Sequence, residues 1–437
     1  MKKYYGSQTE MALSNFPFHI SRVQIEFIYA IADIKMAAAI AHAKAQELDG
    51  NIADAIVVAC KEILDGKMDA QFPLSYFQGG AGTSIHMNVN EVIAARASEM
   101  LQDKHIQVHP NDHVNMSQST NDVNPSALKI ACLRLGKNFL ATARTLISSL
   151  QMKALEYKTI LKLGRTHLQD AVPITFGDEF QSWADAVSRD MIRIEKVLAS
   201  FEELNLGGTA VGNKINASEK YISLLYEELS HITSFHLRPG RNLMSLTSSQ
   251  TDFCALSQAV TLLCLDASKI ASDIRLLSSG PNGGFGEIRL QELQPGSSIM
   301  PGKVNPVIPE SVNQLYFFVS GNNLTIEQCA HGAQLELGVM VPILAESLLS
   351  TLKVSTEVLD NFTRQCIATL RINTERSRMN LEKSTAYATL LTPKLGYDVV
   401  SSVVKESALT GKPIREVILE KNLLSGKEFD DLVQNHT

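Results

Sequence analysis

Apolar residues recur at helical spacing along most of the chain. Between Pro125 and about Ile160 they fall at Leu128, Cys132, Leu135, Phe139, Ala143, Leu146, Leu150 and Ala154. That near-heptad interval predicts a helix of upwards of about thirty residues, roughly 45 Å at 1.5 Å per residue. A second stripe runs through Phe180, Val187, Met191, Ile194, Leu198 and Phe201, and further helical patterns cover residues 250–279, 307–335 and 343–370. Nearer the start, residues 20–66 are rich in alanine and isoleucine at helical spacing. That run is broken near Asp49-Gly50-Asn51 and at Gly66, where glycine favours a turn or helix end. A helix-like run follows from Asn88 to Leu101. Beyond residue 371 the pattern shortens, with Thr392-Pro393-Lys394-Leu395-Gly396-Tyr397 and Gly411-Lys412-Pro413 as turns. Strand signals are sparse, so the pattern predicts an extended helical bundle, and its heptad-like faces predict sharing between subunits.

Composition narrows the class. With 437 residues, 45% of them hydrophobic, the chain exceeds a usual single core, and two or three domains are expected. Its 40 basic and 46 acidic residues are interspersed, for a net charge of −6, leaving no basic footprint for nucleic acid and no polybasic membrane anchor. Small-molecule chemistry is favoured. Lys2 and Lys3 are followed by Tyr-Tyr-Gly-Ser-Gln, not by the apolar core of a signal peptide, and no apolar run is expected to reach membrane-spanning length. A cytoplasmic location is expected. The six cysteines, Cys60, Cys132, Cys254, Cys264, Cys329 and Cys366, include no CxxC pair and read as buried thiols rather than disulfides or zinc ligands. His105, His109 and His113 recur every four residues, but Pro110-Asn111-Asp112 favours a turn, which argues against a helical metal face.

Four polar stretches stand out. In Gly296-Ser297-Ser298-Ile299-Met300-Pro301-Gly302-Lys303-Val304-Asn305-Pro306, glycines allow close approach to a ligand and prolines limit where the next helix begins. A Gly/Pro-rich surface turn would look similar. As a ligand loop, it offers Lys303 to neutralise a carboxylate, Asn305 to bond it, and Ser297 or Ser298 to exchange a proton with carbon once closure excludes water. It is not a phosphate loop, since five residues separate Gly296 from Gly302-Lys303 and Val304 follows the lysine. Gln78-Gly79-Gly80-Ala81-Gly82-Thr83-Ser84 reads as a helix entry whose N–H groups and Thr83 suit a carboxylate. Asn115-Met116-Ser117-Gln118-Ser119-Thr120-Asn121-Asp122 holds more polar residues than one N-cap needs, which suggests ligand contacts. Gly164-Arg165-Thr166-His167-Leu168-Gln169-Asp170-Ala171-Val172-Pro173 is too polar for core and reads as a loop, with Thr166-His167 able to meet a carboxylate or leaving amine.

Together these stretches resemble the signatures of the aspartase/fumarase superfamily, over residues 4 to about 435. Asn305-Pro306-Val307-Ile308-Pro309-Glu310, Thr120 within Ser-Thr-Asn, and Met116 are most similar to its aspartate ammonia-lyases. The resemblance implies a mainly α, three-domain fold with a central long-helix bundle. Its segments would be 1–120, 121–370 with the catalytic loop 296–306, and a small C-terminal domain 371–437. It implies a homotetramer whose active sites draw on three chains. The elimination chemistry needs no cofactor, and the sequence holds no metal-ligand motif. The resemblance assigns Ser297 as the base, with Thr83, Ser119, Thr120, Asn121, Thr166, Ser298, Lys303 and Asn305 on substrate. By the same resemblance His167 is expected to bind and orient the substrate, with Glu310 paired to it.

The activity implied is reversible removal of ammonia from L-aspartate to give fumarate, by anti elimination through an enediolate. Fumarate hydration to malate and elimination from a substituted aspartate are the enzymatic alternatives, and a non-catalytic scaffold protein is the alternative outside enzymes. Three departures from the resemblance bear on the substrate: His86 stands where asparagine is usual, Lys214 brings a charge, and Asn282 replaces a usual arginine.

Overall fold

The computed structural model describes residues 2–434 except 19, 103, 104, 295, 297, 298 and 301. The chain forms two compact units, and the long central helices contribute residues to both. One comprises Met1–Leu140, Ile192–Leu262 and Phe317–Thr356; the other comprises Ala141–Met191, Leu263–Tyr316 and Glu357–Thr437.

The first unit is built on the helix Ile25–Ala45, whose Phe27, Ile28, Ile31, Ile34, Ala37, Ala38 and Ala41 are buried. A helix apolar all round must lie inside, and this one packs between Gly50–Leu64 and Glu219–Thr233. Asp49 caps the helix Gly50–Leu64, its carboxylate accepting the Asn51 and Ile52 N–H groups.

Three ionisable side chains point from this buried helix into the unit. Asp33 pairs with Arg134 at 2.6 Å. Lys35 Nζ donates to Asn115 Oδ1 (2.8 Å) and Gln118 Oε1 (2.9 Å). His42 stacks on Tyr221 at 3.8 Å and bonds Glu47 and the Met116 carbonyl. Lys35 and His42 thus fasten the 115–118 segment from beneath.

The predicted long helix is present as the 37-residue Thr120–Glu156. It starts before Pro125, because a proline near a helix start costs little once the carbonyl it leaves unbonded finds a donor. That carbonyl belongs to Asn121, and Asn205 Nδ2 donates to it at 3.0 Å. The helix Thr83–Met100 likewise begins ahead of the expected Asn88. Pro393, expected in a turn, lies inside the helix Ala388–Leu395. Residues 110–114 form a short π-helical turn in which His109 and His113 Nδ1 atoms accept backbone N–H bonds. The helix Thr251–Leu277 corrects the expectation of no membrane-length apolar run: length and composition suffice, and 56% of its most apolar stretch is buried within the protein.

In the second unit, the stretch expected as a loop is an antiparallel hairpin, Leu161–Thr166 against Gln169–Thr175. Its alternation is broken at Gly164, where the register shifts and a Cβ would lie 2.7 Å from the Val172 carbonyl oxygen. The short C-terminal helices enclose a cluster of Leu381, Leu391, Val400, Val403, Ile414, Val417 and Phe429, joined by Leu163 of the hairpin.

Burial pulls the Lys35 ammonium down to about 7, with the Asp122 carboxylate opposing the shift. The unfolded chain holds that proton to the ordinary range near 10.5. It therefore binds more protons than the folded chain between these values, and stability rises with pH there. At fixed protein concentration, the unfolding free energy of the wild type from urea titrations should rise relative to Lys35→Met from about pH 7 to about pH 9, at up to about 1.4 kcal/mol per pH unit. Parallel pH profiles would contradict this assignment.

Candidate active site

In the first unit two helix N-termini are held together. Thr83 opens one, following the left-handed Ala81 (φ 54°) and Gly82 (φ 82°), and its Oγ1 donates to the Gly80 carbonyl at 2.8 Å. Thr120 opens the other, preceded by Ser119. Asn124 stitches them, its Nδ2 donating to the carbonyls of Ala81 (3.0 Å) and Gly82 (3.2 Å). A side chain on Gly82 would put its Cβ 2.7 Å from that nitrogen, so glycine is required there. His86 adds a second tie, with Nδ1 2.9 Å from Thr120 Oγ1. Unsatisfied N–H groups and the positive ends of two helix dipoles favour an anion here.

Asp122 fixes the shape of the second turn. Ser119 Oγ accepts the Asn121 N–H (3.2 Å) while Asp122 Oδ1 accepts the Ser119 N–H (2.9 Å), a capping box with aspartate as its acid. The other oxygen, Oδ2, accepts the N–H groups of Gly207 (3.0 Å) and Thr209 (2.9 Å). Burial pushes this carboxyl up to about 6, against the pull of its backbone donors and Lys35. Asn121 Nδ2 donates to the Ala210 carbonyl (2.8 Å), which leaves Oδ1 to accept from a ligand such as an ammonium group.

The second unit carries Thr166, His167, Lys303, Asn305 and Glu310. Thr166 and His167 are exposed at the hairpin tip, where His167 (φ 54°) and Leu168 (φ 60°) are both left-handed. Two adjacent non-glycine residues in that region make a two-residue turn of the type that usually takes Asn-Gly, and such strain tends to mark functional positions. The tip is anchored by Arg165, which grips the fully buried Glu287 at 2.6 and 3.2 Å and lies over the Phe285 ring. Asn380 bonds the same carboxylate at 2.8 Å.

Asn305 Nδ2 donates to the Gly296 carbonyl at 2.6 Å, closing the ends of the 296–306 loop on each other, and keeps a second N–H for a ligand. Gly296 is required, because a Cβ there would fall 1.7 Å from the Lys303 carbonyl oxygen. Lys303 and Asn305 line a cavity of about 470 Å³ with Arg275, Ser278 and Ser279. Ser297 and Ser298 lie outside the described residues. Glu310 is half-buried in the first turn of the helix Val307–His331, and no ion pair joins it to His167 within this chain among the described residues.

The structure thus brings Thr83, Ser119, Thr120 and Asn121 together in one unit, while the other unit carries the His167 tip and the Lys303–Asn305 loop end. Sequence reasoning missed Asn124, Arg165 and the roles of Lys35 and Asp122. Only Asp122 had a local signal, the Ser-x-x-Asp spacing of a capping box. Of the departures, Lys214 forms an exposed ion pair with Glu219 (3.0 Å), Asn282 is exposed, and His86 is buried against Thr120.

Residues 1–321 match the family model described as lyase, and residues 388–436 match that described as fumarase C C-terminus. The chain belongs to this lyase family, within the aspartase/fumarase superfamily, and is an enzyme of mainly α fold. Aspartate ammonia-lyases from a Bacillus species and from Bacillus subtilis are 40% and 41% identical to it, over 98% of this chain and 92% and 90% of theirs. Among solved structures, a fumarate lyase:delta crystallin from Brucella melitensis is 42% identical with a TM-score of 0.94. A class II fumarase from Schistosoma mansoni is 34% identical with a TM-score of 0.92. Both alignments cover 99% of this chain and 95% of the other.

Removing Arg165 would leave Glu287 charged, buried and short of its cation. Arg165→Met should destabilise the protein by about 3–5 kcal/mol in denaturant titrations, and adding Glu287→Gln should recover part of that loss. Simple additivity of the two substitutions would contradict the coupling.

Proposed function

We propose that this enzyme is an ammonia-lyase that reversibly converts L-aspartate into fumarate and ammonia. The observation that carries the reading is the paired helix N-termini at Thr83 and Ser119-Thr120-Asn121, an anion cradle that also offers the Asn121 Oδ1 acceptor for a substrate ammonium. The aspartate ammonia-lyases at 40% identity over nearly the whole chain support it.

The chemical difficulty is a weakly acidic C–H beside a carboxylate. Ser297 takes that proton, and the electron pair moves into the adjacent carboxylate to form an enediolate. Thr83, Ser119, Thr120 and nearby backbone N–H groups stabilise its charge with donors fixed before the reaction. Lys303, Asn305 and Ser298 bind the other carboxylate. Asn121, Thr166 and His167 orient the amino group until ammonia departs from the opposite face. Serine is a weak base at its ordinary pKa, and the Lys303 ammonium with the loop amides lowers the cost of its alkoxide. Proton transfer and charge stabilisation suffice, so this route needs no cofactor.

In this reading the protein is a cytoplasmic homotetramer whose sites combine loops from three chains, with Glu310 meeting His167 across subunits. Large exposed apolar side chains on the long helices, Leu155 (75%), Phe317 (66%) and Leu324 (57%), support partner helices against them. The separate family match over 388–436 supports a small C-terminal domain at 371–437, after segments 1–120 and 121–370.

The test follows fumarate by its ultraviolet absorbance with L-aspartate and with L-malate in parallel. Fumarate should form from aspartate and not from malate, and Ser297→Ala should lower kcat by at least about a thousandfold. Turnover of malate alone would make the enzyme a hydratase, the reading the fumarase neighbour favours. No turnover of either would turn attention to a substituted aspartate or to a scaffold without catalysis.

A further inference from the structure

His86 is fully buried in the first turn of the helix Thr83–Met100, with Nδ1 2.9 Å from Thr120 Oγ1. Its Nε2 is buried without a hydrogen-bond partner among the described residues. We propose that His86 is a positioning residue that turns the Thr120 hydroxyl hydrogen toward the substrate carboxylate. This rests on the reading of Thr120 as a substrate ligand.

The argument is one of tautomers. Burial holds the imidazole well below the ordinary histidine range, with the Lys35 charge pushing the same way, so the ring is neutral and carries one N–H. With that hydrogen on Nε2, a buried donor would be stranded. With it on Nδ1, only a lone pair is stranded, and under-satisfied acceptors are the more readily tolerated of the two. The Nδ1–H then donates to Thr120 Oγ1, and the single hydroxyl hydrogen must point away from His86. Thr120 is half-buried at the first position of its helix, beside the converging N–H groups, so that hydrogen meets an anion seated there. Accepting from His86 also polarises the hydroxyl and strengthens its own donation. The opposite tautomer would turn the hydrogen back onto the ring and present only lone pairs to a carboxylate.

Shape separates this role from mere packing. The amide nitrogen of asparagine falls where Nδ1 lies, whereas glutamine matches the ring better in volume but carries its amide near the Nε2 position. His86→Asn should keep kcat/KM for L-aspartate within about threefold of wild type, and His86→Gln should lose about 10- to 100-fold. In a Thr120→Val background the Gln substitution should cost less than about twofold, because the hydroxyl it acts through is gone. Glutamine tolerated as well as asparagine, or a Gln effect that is additive with Thr120→Val, would overturn the proposal. A Thr120→Val enzyme with full activity would instead overturn the underlying assignment of Thr120. Should His86→Gln fail to fold, the ¹⁵N shifts of histidine-labelled wild type, assigned by difference against His86→Asn, read the tautomer directly. Nδ1–H is expected, and Nε2–H would overturn the proposal.

Discussion

The Asp122 carboxylate is the contact on which the candidate site depends. One oxygen closes the capping box that starts the longest helix, and the other holds the Gly207 and Thr209 N–H groups. A buried acid is costly unless its oxygens are bonded, and here three backbone donors satisfy it. These bonds give the 119–122 turn one geometry, so its outward-facing groups are fixed before any ligand arrives. Lys35 and His42 hold the preceding 115–118 segment from the other side. The buried polar groups of the Ala-rich helix therefore serve the site even though none of them is at its surface.

Anion binding follows from this support. Asn124, bridging the carbonyls of Ala81 and Gly82, and His86, bonded to Thr120, hold the two helix starts side by side, and each start leaves N–H groups without helical partners. Donors held rigidly in place need little reorganisation as charge develops on a substrate carboxylate, which is the main requirement of an elimination that begins at a weakly acidic carbon. The hairpin tip obeys the same logic in the other unit. A strained two-residue turn presents His167 because Arg165, Glu287 and Asn380 brace the strand behind it.

The long helices were legible because their apolar stripes persist over many turns, and the ligand stretches were legible as polar crowding beyond what a cap or turn needs. The start of the helix at Thr120 was hidden by Pro125, since the donor that replaces its missing N–H comes from Asn205, 84 residues beyond the Asn121 carbonyl it bonds. The hairpin was missed because Gly164 and its register shift break the alternation that would have revealed a strand. Lys35 looked like an ordinary charge on an alanine-rich helix, and its acceptors lie 80 and 83 residues further on. Local spacing carries capping and periodicity, but a buried polar group becomes interpretable only when its distant partner is known.

The central claim is that this site joins ammonia, not water, to fumarate. The most direct measurement runs the reaction backwards: the enzyme is given fumarate and ammonium in D₂O, and the products are read by ¹H NMR. The account predicts L-aspartate carrying one deuterium at the methylene carbon, as the single diastereomer that anti addition gives. Deuterated malate as the product, or aspartate with both diastereomers in equal amount, would contradict it.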